Sequence, residues 1–206
     1  MDVEIELGGY RYSFSKKKNE LDDMVIKFSK ILNVEEIKFV VISGYIAILF
    51  GRSRLSEDID ILVESMDYPK FNRLWGKLEK DFWCIITSKP EDAYYTYLQT
   101  GHAIRFSLRN KIIPNIEIKF PKSELERWVL RNSVRVRVDD FIMPISNIEL
   151  QIAFKLYLGS EKDIEDAKYL YSLFQENLDR ERLNNLINNF RIGDIARRYL
   201  GWNYPK

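Results

Sequence analysis

The stretch from Ser43 to Glu64, SGYIAILFGRSRLSEDIDILVE, decides how the rest of this sequence is interpreted. One apolar run ends at the small pair Ser43-Gly44, and a second apolar run contains two acids that are separated by a single isoleucine, Ile59. Residues i and i+2 of a strand project from the same side of a sheet. We therefore expect Asp58 and Asp60 to share one face of a strand, with Ile59 directed into the core.

Two adjacent carboxylates repel each other, and burying them without a partner is costly. A divalent cation removes this cost, and hard oxygen ligands suit Mg²⁺, which commonly takes one or two carboxylates and fills its shell with water and phosphate oxygens. Asp58 and Asp60 are therefore candidate ligands for Mg²⁺ or Mn²⁺. Taken alone, an Asp-x-Asp is more often a strand end whose two acids are solvated.

The pair Ser43-Gly44 stands where a strand is expected to turn into a helix. Glycine lets another group approach the backbone closely, and the first N–H groups of a helix, together with the Ser43 hydroxyl, favour a bound phosphate. Arg52 and Arg54 follow this helix and are candidates for contacts to a polyphosphate. Each arginine is also what a solvated loop would carry.

The composition excludes several classes of protein. The 206 residues include 46% hydrophobic residues, enough for a sizeable core, and the formal net charge is only +1. Such a balance predicts neither a general nucleic-acid binder nor a membrane binder. One cysteine excludes an intramolecular disulfide framework, and the sequence shows no signal peptide. We expect a cytoplasmic protein with no membrane partner.

Periodicity along the chain predicts an α+β fold with a mixed β-sheet and flanking helices. Residues alternate around Gly8-Gly9, which predicts a β-hairpin. Short apolar or alternating runs predict further strands, and amphipathic segments between them predict helices. After Pro144 the strand signals cease and helical periodicity continues to the C-terminus, with a first helix capped by Ser146. We therefore predict an α/β domain over residues 1–145 and a C-terminal helical region over residues 146–206.

The segment SGYIAILFGRSRLSEDIDILVE resembles the signature of the nucleotidyltransferase superfamily with the polymerase-β-like fold. That signature is a small pair at the start of a helix, followed by a strand with alternating aspartates. The similarity is greatest to the AbiEii-like branch, which contains abortive-infection and type IV toxin nucleotidyltransferases. Matching positions in this sequence are Gly51, Arg54, Ser56, Asp58 and Asp60. One departure is that serine, Ser43, stands first in the small pair.

A second segment, LQIAFKLYLGSEKDIEDAKYL, resembles the helical part of the same branch. There a lysine on one helix is followed by a basic residue and two spaced aspartates at the start of the next. Lys155, Lys162, Asp163 and Asp166 occupy these positions. By itself, the acidic run also suits the first turn of a helix, and Lys155 also suits a lysine whose stem lies on an apolar face.

The resemblance implies a Mg²⁺-dependent transfer of a nucleoside monophosphate from a nucleoside triphosphate to an acceptor hydroxyl. It implies a third carboxylate on a neighbouring strand, for which Glu117 in NIEIKF is the candidate, although Glu117 also suits an exposed strand position. Asp58, Asp60 and Glu117 would bind metal, and these three with Lys155 would form the catalytic set. The implied nucleotide-binding residues are Ser43, Gly44, Arg52, Arg54, Ser56, Asp163 and Asp166.

The resemblance also suggests the acceptor and the partners. A toxin that modifies tRNA or a protein, neutralised by a cognate antitoxin, is the expectation for this branch. The strand VRVRV, with Arg135 and Arg137 on one face, suits either an RNA backbone or solvent. A different class of function stays open, namely a non-catalytic member of the fold that binds a nucleotide or a protein.

Overall fold

The computed structural model describes the backbone of residues 4–6 and 11–203 and the side chains of residues 12–203. The strands are β1 (Glu4–Glu6), β2 (Arg11–Phe14), β3 (Phe39–Ile42), β4 (Asp58–Val63), β5 (Phe82–Cys84), β6 (Ile104–Leu108), β7 (Asn115–Lys119), β8 (Val134–Val138) and β9 (Phe141–Ile145). The helices are α1 (Glu20–Val34), α2 (Gly44–Leu49), α3 (Tyr68–Leu78), α4 (Glu124–Arg131), α5 (Ile148–Leu158), α6 (Glu161–Phe174), α7 (Arg180–Asn189) and α8 (Gly193–Leu200). A π-helical segment covers Asp92–Leu98.

In the described part of the chain, the strands form one mixed sheet in the order β1-β2-β8-β9-β3-β4-β7-β6-β5. The pairs β2/β8, β3/β9 and β4/β7 are parallel, and the other neighbours are antiparallel. The predicted α+β class with a mixed sheet and flanking helices is confirmed. Strands β1 and β2 pair as a hairpin would, but the predicted turn at Gly8-Gly9 lies outside the described residues.

Strand β4 lies inside the sheet and has an apolar side and a mixed side. Ile59 and Ile61 are fully buried in the main core, which also contains α1, α2 and α3. Leu62 points the other way and joins a smaller apolar cluster with Val40 on β3 and Val129 on α4. The face of β4 that carries Asp58 and Asp60 is therefore covered in part by α4 and α5, and the space between these elements forms a cleft.

The helices after Ile145 share their core with the sheet. The Phe50 ring, directly after α2, lies 4.8 Å from the Phe174 ring of α6, and Tyr12 on β2 contacts both rings. The Tyr169 hydroxyl donates a 2.8 Å hydrogen bond to the Phe50 carbonyl. The division into residues 1–145 and 146–206 stays a prediction, although the last strand does end at Ile145.

Three local details differ from the sequence-based expectations. Strand β9 and the π-helical segment Asp92–Leu98 were not expected. The predicted Ser146 cap is wrong, because Asn147 caps α5 by accepting a hydrogen bond from the Leu150 N–H, and the Ser146 hydroxyl instead contacts Gln151.

No helix between residues 11 and 203 is both long and apolar enough to cross a membrane.

Candidate active site

Three carboxylates lie on one face of the sheet where β4 and β7 run side by side. The register places Asp58 opposite Asn115 and Asp60 opposite Glu117. Paired residues of neighbouring strands project to the same side, and so do residues i and i+2 of one strand. Asp58, Asp60 and Glu117 therefore share the cleft face, while the isoleucines between them point into the core.

Asp60 is the carboxylate with the most perturbed environment. Burial, together with the negative charges of Glu117 and Asp58, raises the pKa of Asp60 from 3.8 to about 6. A hydrogen bond from the Ser43 side chain and the positive charge of Lys119 act in the opposite direction without cancelling the rise. Asp60 is thus a half-buried acid that lacks a full counter-charge at neutral pH, as expected for a cation ligand.

Asp58 and Glu117 are arranged differently from Asp60. Asp58 is exposed, and Ser56 donates hydrogen bonds to its backbone carbonyl at 3.0 Å and to its Oδ1 at 3.4 Å. The predicted residue Ser56 is therefore placed beside Asp58. Glu117 is half-buried, and its Oε2 accepts a 2.9 Å charge-assisted bond from the Nε of Arg105 on β6. The structure brings Glu117 to the site, but it faces an arginine there.

Asn115 was not predicted as a site residue, although it precedes Glu117 by two positions on β7. It is buried, its side-chain nitrogen donates a 3.3 Å bond to the Glu57 carbonyl, and its Oδ1 has no hydrogen-bond partner among the described residues. A buried polar atom without a partner is unusual. The only sequence signal for Asn115 is its position two residues before Glu117, since asparagine at a strand start is otherwise unremarkable.

The turn after β3 holds Ser43 in an unusual backbone conformation and keeps Gly44 next to an arginine. Ser43 has φ 65°, a region that glycine populates more readily than serine. A Cβ atom added to Gly44 would lie 2.7 Å from Nη2 of Arg54. Gly44 is therefore the residue that allows the Arg54 guanidinium to lie against the start of α2.

The predicted basic and acidic residues from the two distant segments meet in one buried network. Asp166 on α6 is fully buried and pairs with Arg52, with Arg54 and, at 2.7 Å, with Lys155 on α5. Asp163 pairs with Lys155 at 3.2 Å. Three cations thus face two carboxylates, so the network carries one net positive charge next to the Ser43-Gly44 turn.

Burial affects the cations of this network. Desolvation lowers the pKa of Lys155, although Asp163 partly offsets that effect. Desolvation also lowers the pKa of Arg54, and the neighbouring charge of Arg52 lowers it further. The nitrogen Nε of Arg54 has no hydrogen-bond partner within the described residues. An anion beside Arg54 would relieve both the desolvation and the repulsion between the two arginines.

A cavity of about 190 Å³ extends from Asp60 between the sheet and helices α4 and α5. Ser43 and Asp60 lie at one end of it, and most of its remaining wall is apolar. The wall residues are Ile42, Ser43, Asp60, Leu62, Lys119, Leu125, Glu126, Val129, Ser146, Leu150, Gln151 and Phe154.

The donors present fit a divalent cation at Asp58 and Asp60. Both are hard oxygen ligands on one face, and a cation would stabilise the charged form of Asp60, whose pKa is raised mainly by burial. Among the described residues, no three His, Cys, Asp or Glu side chains converge closely enough to hold an ion unaided. Two carboxylates, with the remaining ligands from phosphate and water, are nevertheless the usual pattern for Mg²⁺.

Comparisons with known proteins agree with this fold. No protein-family model and no curated protein sequence matches the chain. The structure is similar to that of an antigenic nucleotidyltransferase-like protein from Paracoccidioides brasiliensis, with a TM-score of 0.56 and 15% identity over 88% of this chain and 92% of that one. It is also similar to the lincosamide antibiotic adenylyltransferase LnuA, at TM-score 0.49 and 15% identity over 77% of this chain and 99% of that one.

A third similar structure is the Thermotoga maritima CCA-adding enzyme complexed with tRNA, with a TM-score of 0.39 and 11% identity. That match covers 92% of this chain but only 55% of the enzyme. None of these comparisons assigns the chain to the AbiEii-like branch, so that affiliation stays a hypothesis. The likeness to the Paracoccidioides brasiliensis protein shows that this chain has a nucleotidyltransferase-like fold.

Proposed function

We propose that this protein is a divalent-metal-dependent nucleotidyltransferase that moves a nucleoside monophosphate from a nucleoside triphosphate to an acceptor hydroxyl. The observation that carries the proposal is the register of β4 and β7, which sets Asp58, Asp60 and Glu117 on one face beside the Ser43-Gly44 turn. A net positive network lies on the other side of that turn. Carboxylates next to a cationic site are what a metal–triphosphate substrate requires.

Each residue has a distinct part in this proposal. Asp58 and Asp60 would hold the cation, which when bound supplies Lewis-acid stabilisation of phosphate charge. Arg54 would bind the triphosphate, oriented by Asp166, while the Ser43 hydroxyl holds Asp60 in place. Once released from Arg105, Glu117 would accept the proton of the acceptor hydroxyl. The hydroxyl oxygen would form a bond to the α-phosphorus as the bond from that phosphorus to the bridging oxygen breaks, and pyrophosphate would leave.

The test is transfer of label from each α-³²P nucleoside triphosphate in the presence of Mg²⁺ or Mn²⁺, with total tRNA or cell lysate as the source of acceptors. We expect transfer by the natural protein and its loss in Asp58→Ala and Asp60→Ala. Asp140→Ala is the matched control, because Asp140 is an exposed acid, paired with Lys18 at 3.6 Å. Label transfer that survives both active-site substitutions contradicts the proposal.

For the acceptor we infer tRNA or a protein, with the chain acting as a toxin under the control of a cognate antitoxin. The support is the resemblance of the segments around Asp58 and Lys155 to type IV toxin nucleotidyltransferases. Induced expression of the natural chain should arrest bacterial growth, whereas the Asp60→Ala chain should not. Sequencing of labelled RNA and mass spectrometry of labelled protein would then identify the acceptor.

The ion pair between Arg105 and Glu117 favours a second candidate, a non-catalytic member of the fold that binds nucleotide or a protein. With Glu117 neutralised by Arg105 at 2.9 Å, the site keeps only two uncommitted carboxylates. The nucleotide-binding form of this candidate would bind nucleoside triphosphates in calorimetric titration. Neither form would transfer label to any acceptor. Turnover with any acceptor excludes this candidate.

A further inference from the structure

We propose that the cavity beside Asp60 is a slot for the nucleobase of the bound triphosphate, with Phe154 as the side chain on which the base stacks. This inference rests on the proposed function, since it assigns one part of the substrate to one part of the same site. We name this cavity, which has Asp60 and Ser43 at one end and Phe154 in its wall, the base slot.

The size of the base slot indicates a fragment of a substrate. Its volume is about 190 Å³, whereas sites that enclose a whole drug-sized ligand have volumes of roughly 300–1,000 Å³. A complete nucleotide does not fit into such a space. A single heterocyclic ring system, with its sugar and phosphates left outside near Asp60 and Ser43, is a suitable size.

The charges around the base slot exclude its use by phosphate. Lys119 and Glu126 face each other across 2.8 Å in its wall and neutralise each other, while Asp60 places a negative charge at its end. The uncompensated positive charge of the site lies at Arg52, Arg54 and Lys155 instead. The triphosphate is therefore expected on the Arg54 side of Ser43, and the uncharged end of the nucleotide is directed towards the slot.

The walls of the base slot suit a flat ring with a polar edge. Ile42 and Leu62 of the sheet, Val129 of α4 and Leu150 of α5 pack together as one apolar part of its wall. Such an apolar wall matches the face of a base. Two polar side chains of the wall, Gln151 at 5% exposure and Ser146 at 1%, are bonded to each other, with the Gln151 amide donating to the Ser146 hydroxyl. The Gln151 carbonyl oxygen, its second N–H and the Ser146 O–H remain for the edge of the base.

Phe154 is well placed to stack a base. It lines the slot and is 37% exposed, although Ala153 and Lys155 on either side of it are buried. Its ring packs loosely on Tyr157 and Phe190, at centroid distances of 6.1 and 6.0 Å. An aromatic ring that is left partly open to solvent at a cavity is a stacking surface for any base, whatever its hydrogen-bonding pattern.

The test compares nucleoside triphosphates with inorganic tripolyphosphate, which has the same phosphates and no base. Calorimetric titration of the full chain with Mg²⁺ should show at least one of ATP, GTP, CTP and UTP binding more tightly than tripolyphosphate. Phe154→Ala should weaken that nucleotide about tenfold, the loss typical of one stacking contact, and leave tripolyphosphate unchanged. Val129→Phe, which fills the slot from α4, should have the same effect.

Tyr95→Ala is the matched control, because Tyr95 is an exposed aromatic residue of the π-helical segment whose ring contacts are with Tyr68 and Tyr94 and which does not line the slot. It should leave both affinities unchanged. The proposal is overturned if Phe154→Ala and Val129→Phe leave nucleotide binding intact, or if they raise only the KM of an acceptor, which would make the slot an acceptor site. If no triphosphate binds the natural chain at all, the proposed function fails together with this inference.

Discussion

Replacing Asp60 with asparagine should stabilise the fold and abolish the proposed nucleotidyl transfer at the same time. The amide removes the charge that burial disfavours and keeps an oxygen that can accept the hydrogen bond from Ser43. The rise of the Asp60 pKa from 3.8 to about 6 corresponds to about 3 kcal/mol as an upper bound on the cost of ionising Asp60 in the folded state. We expect Asp60→Asn to raise the free energy of unfolding at pH 7.5 by about 1 to 3 kcal/mol.

The pH dependence gives the sign of this effect. Between pH 4 and pH 6 the folded state holds a proton on Asp60 that the unfolded state has already released, so the natural chain loses stability as the pH rises through this window. The two proteins should be equally stable below about pH 4, should separate as the pH rises to 6, and should then differ by a constant amount.

Urea unfolding followed by circular dichroism at intervals from pH 4 to pH 8 measures this difference. Mg²⁺ should stabilise the natural chain and have little effect on Asp60→Asn, because a ligand stabilises only the state that binds it. Asp58→Asn is the control, and since Asp58 is exposed its unfolding free energy should change by less than about 0.5 kcal/mol. An Asp60→Asn protein that is less stable than the natural chain at pH 7.5 would refute the reasoning.

Three further substitutions test the network and the third carboxylate. Asp166→Asn removes the buried partner of two arginines and a lysine, and urea unfolding should show a loss of about 3 to 5 kcal/mol. Gly44→Ala places a methyl group 2.7 Å from Nη2 of Arg54, so calorimetry should show triphosphate binding weakened about tenfold while the fold is retained. Arg105→Ala frees Glu117 from an exposed ion pair worth at most about 1 kcal/mol. If Glu117 is a metal ligand, Mn²⁺ should then bind up to about fivefold more tightly.

Two of these substitutions have close controls in the same chain. Glu165→Ala removes an exposed acid next to Asp166 that forms an exposed ion pair with Lys168, and it should leave the unfolding free energy nearly unchanged. Gly76→Ala adds a methyl group within α3 where no atom lies within 4 Å, so it should stabilise the fold by about 0.5 to 1 kcal/mol. Unchanged triphosphate binding in Gly44→Ala, or an unchanged free energy of unfolding in Asp166→Asn, would contradict the assigned contacts.

Patterns within one segment of the sequence predicted most of the fold. The alternation in DIDILV and the apolar spacing around Met24 and Phe28 each report which side of an element is buried, and that is a local property. Strand β9, FIMPI, was missed because Ile142 and Pro144 put apolar residues on its outer side and hide the alternation. Pro144 also argues against a strand, because proline has no N–H to donate to a neighbouring strand. In β9 the loss is small on the β3 side, where the register consists of a single pair, Val41 with Ile145.

The site could be predicted only as far as its parts are neighbours in sequence. Asp58 and Asp60 are two positions apart, so their common face follows from strand geometry alone. That Glu117 lies directly opposite Asp60 depends on the register of two strands that are distant in sequence. The pairing of Arg52 with Asp166 spans 114 residues, and no periodic pattern encodes which acid neutralises which base. The resemblance named these residues but did not reveal that they bind one another.

Asp166 connects the helices after the sheet to the loop before β4, which carries two of the candidate phosphate-binding residues. One carboxylate on α6 holds the guanidinium groups of Arg52 and Arg54, which are attached to the other half of the chain. A phosphate that binds Arg54 must compete with this carboxylate. Part of the binding free energy of the phosphate is therefore used to weaken the contact between the loop before β4 and helix α6. Asp166 thus couples the binding of a ligand in the cleft to the packing of the helices against the sheet. A ligand that changes either one should change the other.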